Sequence, residues 1–294
     1  MRITVGLPAY NEEENLANII TQLKKIADRI IVCNDGSSDQ TGPVAEKMGA
    51  IVVNHVKNMG YGASIKSLFT KFMDIDSDIL VTFDADGQHR IEDIQKVIDP
   101  ILRDEADIVI GSRFLEKNDQ EVPTYRKFGI KTITNLTNTA LDSKITDSQS
   151  GFRAYSKKVF PNIVPSEHGM GVSTEILIKA DKNNFRIKEV PIKILYKGGT
   201  STHHPVSHGA SVMLSTMKFI SIEHPLKFYG IPGIVFLGIG LFFVVWTIQY
   251  FTEYGAFPPV LALIAIGSTL FGLVFLMTAV MLYSIVNLIR DAKK

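Results

Sequence analysis

The sequence predicts an α/β domain built on a mainly parallel sheet, followed by a two-helix transmembrane hairpin. Three observations carry this reading. Short apolar runs alternate with amphipathic segments of helical period, the pattern of strands joined by helical crossovers. A polar, turn-forming motif follows each of those runs. Beyond Tyr229 the chain turns apolar in two long stretches, Tyr229 to Phe251 and Val260 to Ile289. Each is long enough to cross a hydrocarbon core, which takes about 20 helical residues.

The elements can be justified in order. Ile3 to Leu7 is a short apolar strand stopped by Pro8. Asn11 to Ala27 opens on Glu12, Glu13 and Glu14, continues with an apolar stripe at Leu16, Ile19, Ile20 and Leu23, and ends on Lys24 and Lys25. That is a helix whose charges match its dipole. Arg29 to Asn34 is a second strand, followed by the turn Asp35-Gly-Ser-Ser-Asp39, with Asp39 or Thr41 starting a helix. Ala50 to Asn54 is a third strand, and a glycine turn from Asn58 leads into a helix ending at Phe72. Asp78 to Phe83 is a fourth strand, Ile91 to Leu102 a helix, and Asp107 to Ile110 a fifth strand ended by Gly111-Ser112-Arg113.

Composition narrows the function classes. Lysine and arginine (31) nearly balance aspartate and glutamate (30), for a formal charge of +1, so nothing in the overall charge calls for nucleic acid. A single cysteine, Cys33, allows no disulfide framework within the chain and suits a reducing compartment. The N-terminal apolar run is too short for a signal peptide, and no internal repeat or low-complexity segment is visible.

The apolar stretches read as membrane helices rather than a buried core hairpin. The first holds Gly230, Pro232, Gly233, Gly238 and Gly240, tolerated better in a membrane helix than in a soluble one. Glu253 is the only strong charge between them, while Lys218 and Lys227 precede the first and Arg290, Lys293 and Lys294 follow the second. The positive-inside rule then places a multi-pass protein in the cell membrane, with its catalytic domain and both termini cytoplasmic. Asn287, inside the second stretch, suits a helix–helix or interfacial hydrogen bond, and homo-oligomers through these helices are an open possibility. The expected organisation is a catalytic domain over 1–205, an interfacial segment over 206–228, and two spans within 229–289. Residues 208–228 read equally as an amphipathic helix on the membrane surface, with Val212, Met213, Met217, Phe219 and Ile220 near Lys218 and Lys227, or as a core helix covering the sheet.

In a parallel α/β sheet, ligands sit beyond the carboxyl ends of the strands. Five polar loops fall there: Pro8-Ala-Tyr10-Asn-Glu12, Asp35 to Asp39, Lys57 to Gly62, Asp84 to Gln88, and Arg113. The fourth is the most specific. In V-T-F-D-A-D-G-Q-H, Asp84 and Asp86 sit two apart at a strand end and can face one point, with Gln88 adding a neutral oxygen. Such a donor set suits Mg²⁺ or Mn²⁺. A lone D-x-D is more often a solvated turn, but its place among five convergent loops favours a site. Asp35 can accept from a base or ribose, and Arg113 can fork onto phosphate oxygens. No P-loop and no G-x-G-x-x-G after the first strand is present, and Gly60-Tyr-Gly62 reads as a close backbone approach rather than a phosphate cradle.

The stretches L-P-A-Y-N-E-E-E-N, D-G-S-S-D-Q-T, K-N-M-G-Y-G-A, D-A-D-G-Q-H, G-S-R-F and D-S-Q-S-G-F-R-A-Y, in order from Ile3 to Tyr155, resemble the family-2 glycosyltransferases of the GT-A fold. Within that family the chain is similar to the dolichyl-phosphate mannose synthase-like group of polyprenyl-phosphate glycosyltransferases. The resemblance implies inverting transfer of a sugar from a nucleotide sugar to a polyprenyl phosphate lipid. It implies a nucleotide-sugar site of Pro8, Tyr10, Glu12, Asp35, Asp84, Ala85, Asp86, Arg113 and Arg126, and a metal site of Asp86 and Gln88 with Asp84. Asp84 then leans towards the nucleotide. Departures at Asp35 to Asp39, at Arg153-Ala-Tyr and at Tyr196-Lys-Gly-Gly-Thr-Ser lean away from GDP-mannose and towards UDP-glucose or UDP-N-acetylglucosamine.

A phosphate monoester acceptor has a second pKa of about 6 and needs little help from a base. Asp86 and Arg113 are therefore the catalytic candidates, with Asp147 either a base or an orienting group. Bringing two anions together calls for cations, and Arg126, Arg153, Lys197, Ser201 and His203 are the candidate contacts to the lipid phosphate, with Lys127, His204 and His208 nearby in sequence. Three rivals remain. A processive polysaccharide synthase would carry Q-x-x-R-W, yet the only tryptophan is Trp246. A sugar nucleotidyltransferase would carry a glycine- and lysine-rich loop after the first strand. The third is an inactive, membrane-anchored binding or scaffold protein.

Overall fold

The computed structural model describes residues 1–115, 124–194 and 205–291, with side chains omitted at 124–126, 205–212 and 290–291. The chain divides into two compact units, Met1–Thr216 and Met217–Lys294.

The first unit is the predicted α/β domain. Its elements run β1 (Ile3–Ala9), α1 (Glu13–Leu23), β2 (Arg29–Asn34), α2 (Thr41–Lys47), β3 (Ile51–Asn54), α3 (Tyr61–Met73), β4 (Ile79–Thr82), α4 (Ile94–Leu102), β5 (Ile108–Ser112), α5 (Thr124–Asn138), β6 (Arg153–Ser156), α6 (Phe160–Ile163), α7 (Val172–Lys182) and β7 (Ile187–Pro191). The seven strands lie in the order β3-β2-β1-β4-β6-β5-β7. All neighbours are parallel except β6, which runs antiparallel to both β4 and β5.

The strands are apolar on both sides because helices cover both faces. On one face Leu16, Ile20 and Leu23 of α1 and Val97, Ile98 and Ile101 of α4 pack on Val5, Leu7, Val32, Val81 and Val109. On the other, Leu68, Phe69 and Phe72 of α3 and Val172 and Ile176 of α7 pack on Ile31, Cys33, Leu80, Ile108 and Tyr155. Alternate residues of β4 thus feed opposite layers, Ile79 and Val81 one and Leu80 the other. Phe69 meets Tyr155 and Phe160 edge-on, with ring centroids 5.0 and 4.9 Å apart.

The parallel reading holds for most of the sheet, and β6 is the departure from it. Arg153-Ala-Tyr-Ser has no apolar run to announce a strand; its register with β4, Thr82 opposite Arg153, is set by residues some seventy positions away. One consequence is topological. Because β6 is reversed, the residues that precede it, 147–151, arrive at the edge where β4 and β5 end.

The helix α8 (Pro205–Glu223) crosses from the first unit into the second. In the first unit its buried Thr216 hydroxyl lies 3.4 Å from that of Thr174, and Ser215 presses on the Cα of Gly171. This stretch packs on α7, while Met213 and Leu214 are exposed.

The second unit is a helical hairpin of α9 (Ile231–Tyr254) and α10 (Pro259–Asp291). Gly255 closes α9 with φ +63°, and its N–H donates to Phe251 O at 2.9 Å. The helices approach closely where a side chain is missing: a Cβ on Gly233 would come within 2.9 Å of Leu276, and one on Gly272 within 2.8 Å of Leu237. The apolar segments Leu226–Tyr254 and Pro259–Ile289 have hydropathies of 2.3 and 2.5, yet only 11% of an apolar 18-residue stretch in each is buried. By length and composition both can cross a membrane, and a soluble core helix would be covered instead.

One charged clip holds the far edge of the sheet. Asp107, before β5, accepts from Arg186 N and Nη2, each at 2.9 Å, and from Lys158 Nζ at 2.6 Å. Burial works to raise its carboxyl, but the hydrogen bonds from Arg186 and Lys158 outweigh it and bring it from 3.8 down to about 2. A carboxylate depressed in the fold stabilises above its unfolded pKa and loses that contribution as pH falls through its folded one. Asp107→Asn should therefore lower thermal stability at neutral pH, with the deficit shrinking between pH 4 and 2; a deficit constant across that window would show that the charge is not what Asp107 contributes.

Candidate active site

The loops at the carboxyl edge are stitched together before any ligand is considered. Asn11, in the left-handed region at φ 55°, donates its N–H to Ser37 Oγ and accepts from Ser38 N, at 3.0 and 2.9 Å. Glu12 N donates to Thr41 Oγ1 at 2.8 Å, and Gln40 N donates to Glu13 Oε2 at 2.7 Å. The first two loops thus form one rim, on which Tyr10 is exposed and Pro8 is a β1 residue paired with Cys33.

Asp35, expected to contact a base or ribose, is tied to the third loop. It is 4% exposed, and its oxygens accept from His55 Nδ1 at 2.6 Å and from the N–H groups of Met59 and Gly60 at 2.9 Å each. The carboxylate holds the third loop in place. That loop turns at Gly60, φ +96°, and runs hard against residues 167–169: Gly62 N donates to His168 O at 2.8 Å, and a Cβ on Gly62 would clash with Glu167 O. The glycines serve close backbone approach, as their sequence suggests.

The result of that fixing is the placement of Tyr61. Its hydroxyl donates to Asp84 Oδ1 at 3.2 Å, and His89 Nε2 donates to Asp84 Oδ2 at the same distance. His89 is wedged between Phe83 and Phe152, with ring centroids 5.6 and 5.1 Å away, and its Nδ1 has no hydrogen-bond partner among the described residues. Behind Asp84 lies Gly151, where any Cβ would strike the Tyr61 hydroxyl and stand 3.0 Å from Asp84 Oδ2. Tyr61, His89 and Gly151 all fall inside motifs visible in the sequence, but nothing local to them shows that they converge on one carboxylate.

The two carboxylates of the fourth loop have opposite environments. Burial would raise Asp84, but the hydrogen bond and charge of His89, the Tyr61 hydroxyl and the charge of Arg113 together bring it below its ordinary value. Asp86 is raised, first by burial and then by the charge of Asp84, against the N–H of Gln88, which donates to Asp86 Oδ1 at 3.0 Å. Burial also raises Glu12, against a hydrogen bond from Asn15, and the charges of Asp86, Asp39 and Asp84 add to the rise. The loop is therefore short of positive charge, which is what a cation would supply. Among the described residues no three Asp, Glu, His or Cys side chains form a metal cluster. A cation held by Asp86, Gln88 and Asp84 would take further oxygens from a diphosphate and water, as Mg²⁺ commonly does. The Ala85 side chain, 2% exposed, belongs to the core.

Opposite stands Arg113. Asp147, fully buried, grips it with two oxygens: Nε donates to Oδ2 at 2.6 Å and Nη2 to Oδ1 at 2.7 Å, while Arg113 N adds a third bond at 3.2 Å. Burial of Asp147 is outweighed by the charge and hydrogen bonds of Arg113, so its carboxyl sits below the ordinary range. Of the two roles the sequence leaves open, the orienting one is the one this geometry favours.

Arg153 is placed otherwise than expected for a contact to the lipid phosphate. It is 1% exposed, and its Nε, Nη1 and Nη2 donate to the carbonyls of Ser150, Ser173 and Ser148 at 2.8, 3.0 and 2.8 Å. A guanidinium sealed against main-chain carbonyls inside the sheet is not a surface contact for a lipid phosphate. Lys197, Ser201, His203 and His204 lie outside the described residues, as do the side chains of Arg126 and His208.

A helix-flanked sheet presenting an acidic turn opposite an arginine locked by a buried aspartate is a scaffold for diphosphate-bearing nucleotides. Residues 4–164 match the Glycosyl transferase family 2 profile, and the chain belongs to that family and is a glycosyltransferase. It is 35% identical over 236 residues to a UDP-N-acetylglucosamine–dolichyl-phosphate N-acetylglucosaminyltransferase of Methanococcus voltae, covering 72% of this chain and 91% of that protein. It is 29% identical over 227 residues to a dolichyl-phosphate hexose transferase of Haloferax volcanii, covering 76% and 96%. Its fold is similar to that of glucosyl-3-phosphoglycerate synthase from Mycobacterium tuberculosis, solved with Mn²⁺, UDP and phosphoglyceric acid. That likeness has a TM-score of 0.57 at 19% identity and covers 75% of this chain and 78% of the other. The GT-A fold and the family read from the motifs are thereby borne out.

The Arg113–Asp147 pair has a direct test. Asp147→Asn keeps the shape but leaves Arg113 with a neutral partner. Sugar transfer should fall about 10²-fold or more through loss of a positioned donor, and unfolding should cost about 3 kcal/mol less because a buried charge loses its partner. Wild-type kcat in the folded variant would remove the positioning role.

Proposed function

We propose that the protein transfers a hexose or N-acetylhexosamine, with inversion, from a nucleotide-diphosphate sugar to a polyprenyl (dolichyl) phosphate in the membrane. The observation that carries this reading is the pairing of the Asp84–Asp86 turn with the locked Arg113 in a chain that also holds two helices of membrane-crossing length. The printed activities of the Methanococcus and Haloferax relatives support the acceptor class.

The chain's own residues divide the work. Glu12 and Tyr10 on the first loop, with Pro8 at its strand end, face the nucleoside. Asp84, fixed by Tyr61 and His89, accepts from the ribose or sugar hydroxyls. Arg113, held flat by Asp147, donates to the diphosphate as negative charge builds on the leaving group. Asp86, Gln88 and Asp84 would hold Mg²⁺ or Mn²⁺, which when bound neutralises the diphosphate. No protein base is required, because the acceptor phosphate, with a second pKa of about 6, is its own nucleophile at neutral pH. Arg126, Lys197, Ser201 and His203 remain the proposed contacts to that phosphate. The product is a lipid-linked sugar, a donor for glycan assembly, made with the active site and both termini on the cytoplasmic side.

The donor leans to UDP-glucose or UDP-N-acetylglucosamine on the sequence departures noted above, and GDP-mannose is the alternative. Membranes carrying the protein should move labelled sugar from one of these donors into an organic-extractable, acid-labile lipid in a reaction dependent on Mg²⁺ or Mn²⁺. No labelled lipid with any of the three would sink the enzyme reading in favour of an inactive scaffold. Asp86→Ala should abolish transfer with the fold intact, and full activity in that variant would refute the metal assignment.

A further inference from the structure

We propose that the first unit carries its own membrane-docking face, formed by residues 56–59, 168–170 and 213–214, and that its occupant is an anionic bilayer surface. The proposal rests on the membrane reading above and adds to it a second contact, made by the catalytic unit itself.

Three separate segments build this face. The third loop exposes Val56 fully and Met59 by 45%. The turn at 168–170 exposes Met170, and α8 exposes Met213 and Leu214, the last by 68%. They are neighbours by contacts already described: Gly62 N and Ala63 N both donate to His168 O, which sets the turn beside the third loop, and Gly171 is pressed against Ser215, which sets the same turn beside α8. Large apolar side chains exposed together on one side of a domain mark an interaction surface.

The charge around them selects the partner. Lys57 and His168 are exposed within the face itself. Lys66 is exposed one helical turn beyond Gly62, on the same stripe of α3. The nearby Glu167 is half-buried, with Oε1 accepting from Gly169 N at 3.1 Å. Apolar side chains flanked by the exposed Lys57 and Lys66 match a bilayer interface with anionic headgroups. The chain supplies continuity as well, since α8 runs on from Leu214 towards the apolar hairpin. Position adds function. The third loop is the one that delivers Tyr61 to Asp84, so this face adjoins the mouth of the site. Docking there brings the site to headgroup height, where a lipid phosphate lies.

The opposite edge of the sheet exposes Met1, Ile26, Met73 and Leu102 as well, but its loops also expose Asp28, Asp74, Asp76 and Asp104, whose charge opposes an anionic surface.

The full chain permits a test in one sample. Cys33 is buried, which pushes its thiol up to about 11, so surface cysteines can be labelled selectively. The single tryptophan, Trp246, lies in α9 and reports insertion of the hairpin. Met59→Cys, Met170→Cys and Leu214→Cys, each carrying an environment-sensitive fluorophore, are reconstituted in phosphatidylcholine–phosphatidylglycerol vesicles containing brominated lipids, with Ile26→Cys and Leu102→Cys as controls. Labels at 59, 170 and 214 should be quenched at least about twofold more than the controls, and less in phosphatidylcholine alone. Trp246 quenched with no difference among the labels leaves the hairpin inserted and overturns the docking face. Trp246 unquenched overturns the membrane reading and this proposal together. Burial of the labels in lipid-free detergent that rises with protein concentration identifies a second copy as the occupant and likewise overturns it. As a second line, Met170→Glu with Leu214→Glu should raise the apparent KM for bilayer-embedded polyprenyl phosphate about threefold or more and leave the KM for the nucleotide sugar unchanged; an unchanged lipid KM counts against the face.

Discussion

The buried guanidinium of Arg153 is the constraint on which the rest of the site depends. Among the described residues no carboxylate pairs with it, and three main-chain carbonyls take its place. Taking a charge out of water costs several kcal/mol, and a hydrogen bond to a charged group returns about 1.5–3 kcal/mol. Three such bonds come close to balance, and one or two would not. The chain around 148–150 is therefore obliged to turn its carbonyls inwards towards Arg153, and the start of α7 is obliged to offer Ser173. That fixed turn lets β6 enter the sheet reversed. It also sets Gly151 against Asp84 and Asp147 beneath Arg113. A residue that touches no substrate thus decides where both halves of the site stand.

The carboxylates at this edge differ in how many donors they have. Asp35 has three, from His55, Met59 and Gly60; Asp147 has the fork and N–H of Arg113 and the N–H of Gln149; Asp84 has Tyr61 and His89. Asp84 and Asp147 are both lowered despite burial. Asp86 has the amide of its own turn, faces the charge of Asp84, and is raised. Asp35 and Asp147, richest in internal donors, have the least left for a ligand to satisfy. The poorly satisfied one, sharing its loop with another carboxylate, is where an external cation has most to contribute.

Much of this was legible in the sequence because the first five strands announce themselves locally, through apolar runs closed by glycine, proline or aspartate. The convergence of their loops then follows from a parallel sheet alone. What was not legible is long-range. Arg153 reads as an exposed cation because charge in a sequence implies solvent, and only the fold shows carbonyls closing around it. Asp35 reads as a ligand because its turn resembles one, and its partners in the loop twenty residues on are hidden from the sequence. Asp147 left two roles open since its partner lies 34 positions away. In each case the residue type was noticed and its donor count was hidden.

That donor count bears on the chemistry. The Arg113–Asp147 pair is formally neutral, so it directs hydrogen bonds at a diphosphate without attracting it over a distance. Glu12, Asp84 and Asp86 add negative charge to the same edge, and the raised carboxyls of Glu12 and Asp86 record that excess. A dianionic acceptor and an anionic donor cannot meet there on protein charge alone. On the proposed reading, a cation at the acidic turn and positive residues on the acceptor side would offset that excess. The proposed acceptor would bring its own negative oxygen, so a fully buried Asp147 locked to Arg113 would be no obstacle to the reaction. A site so arranged would manage charge rather than move a proton, and a phosphate-headed lipid is the kind of acceptor for which that would suffice.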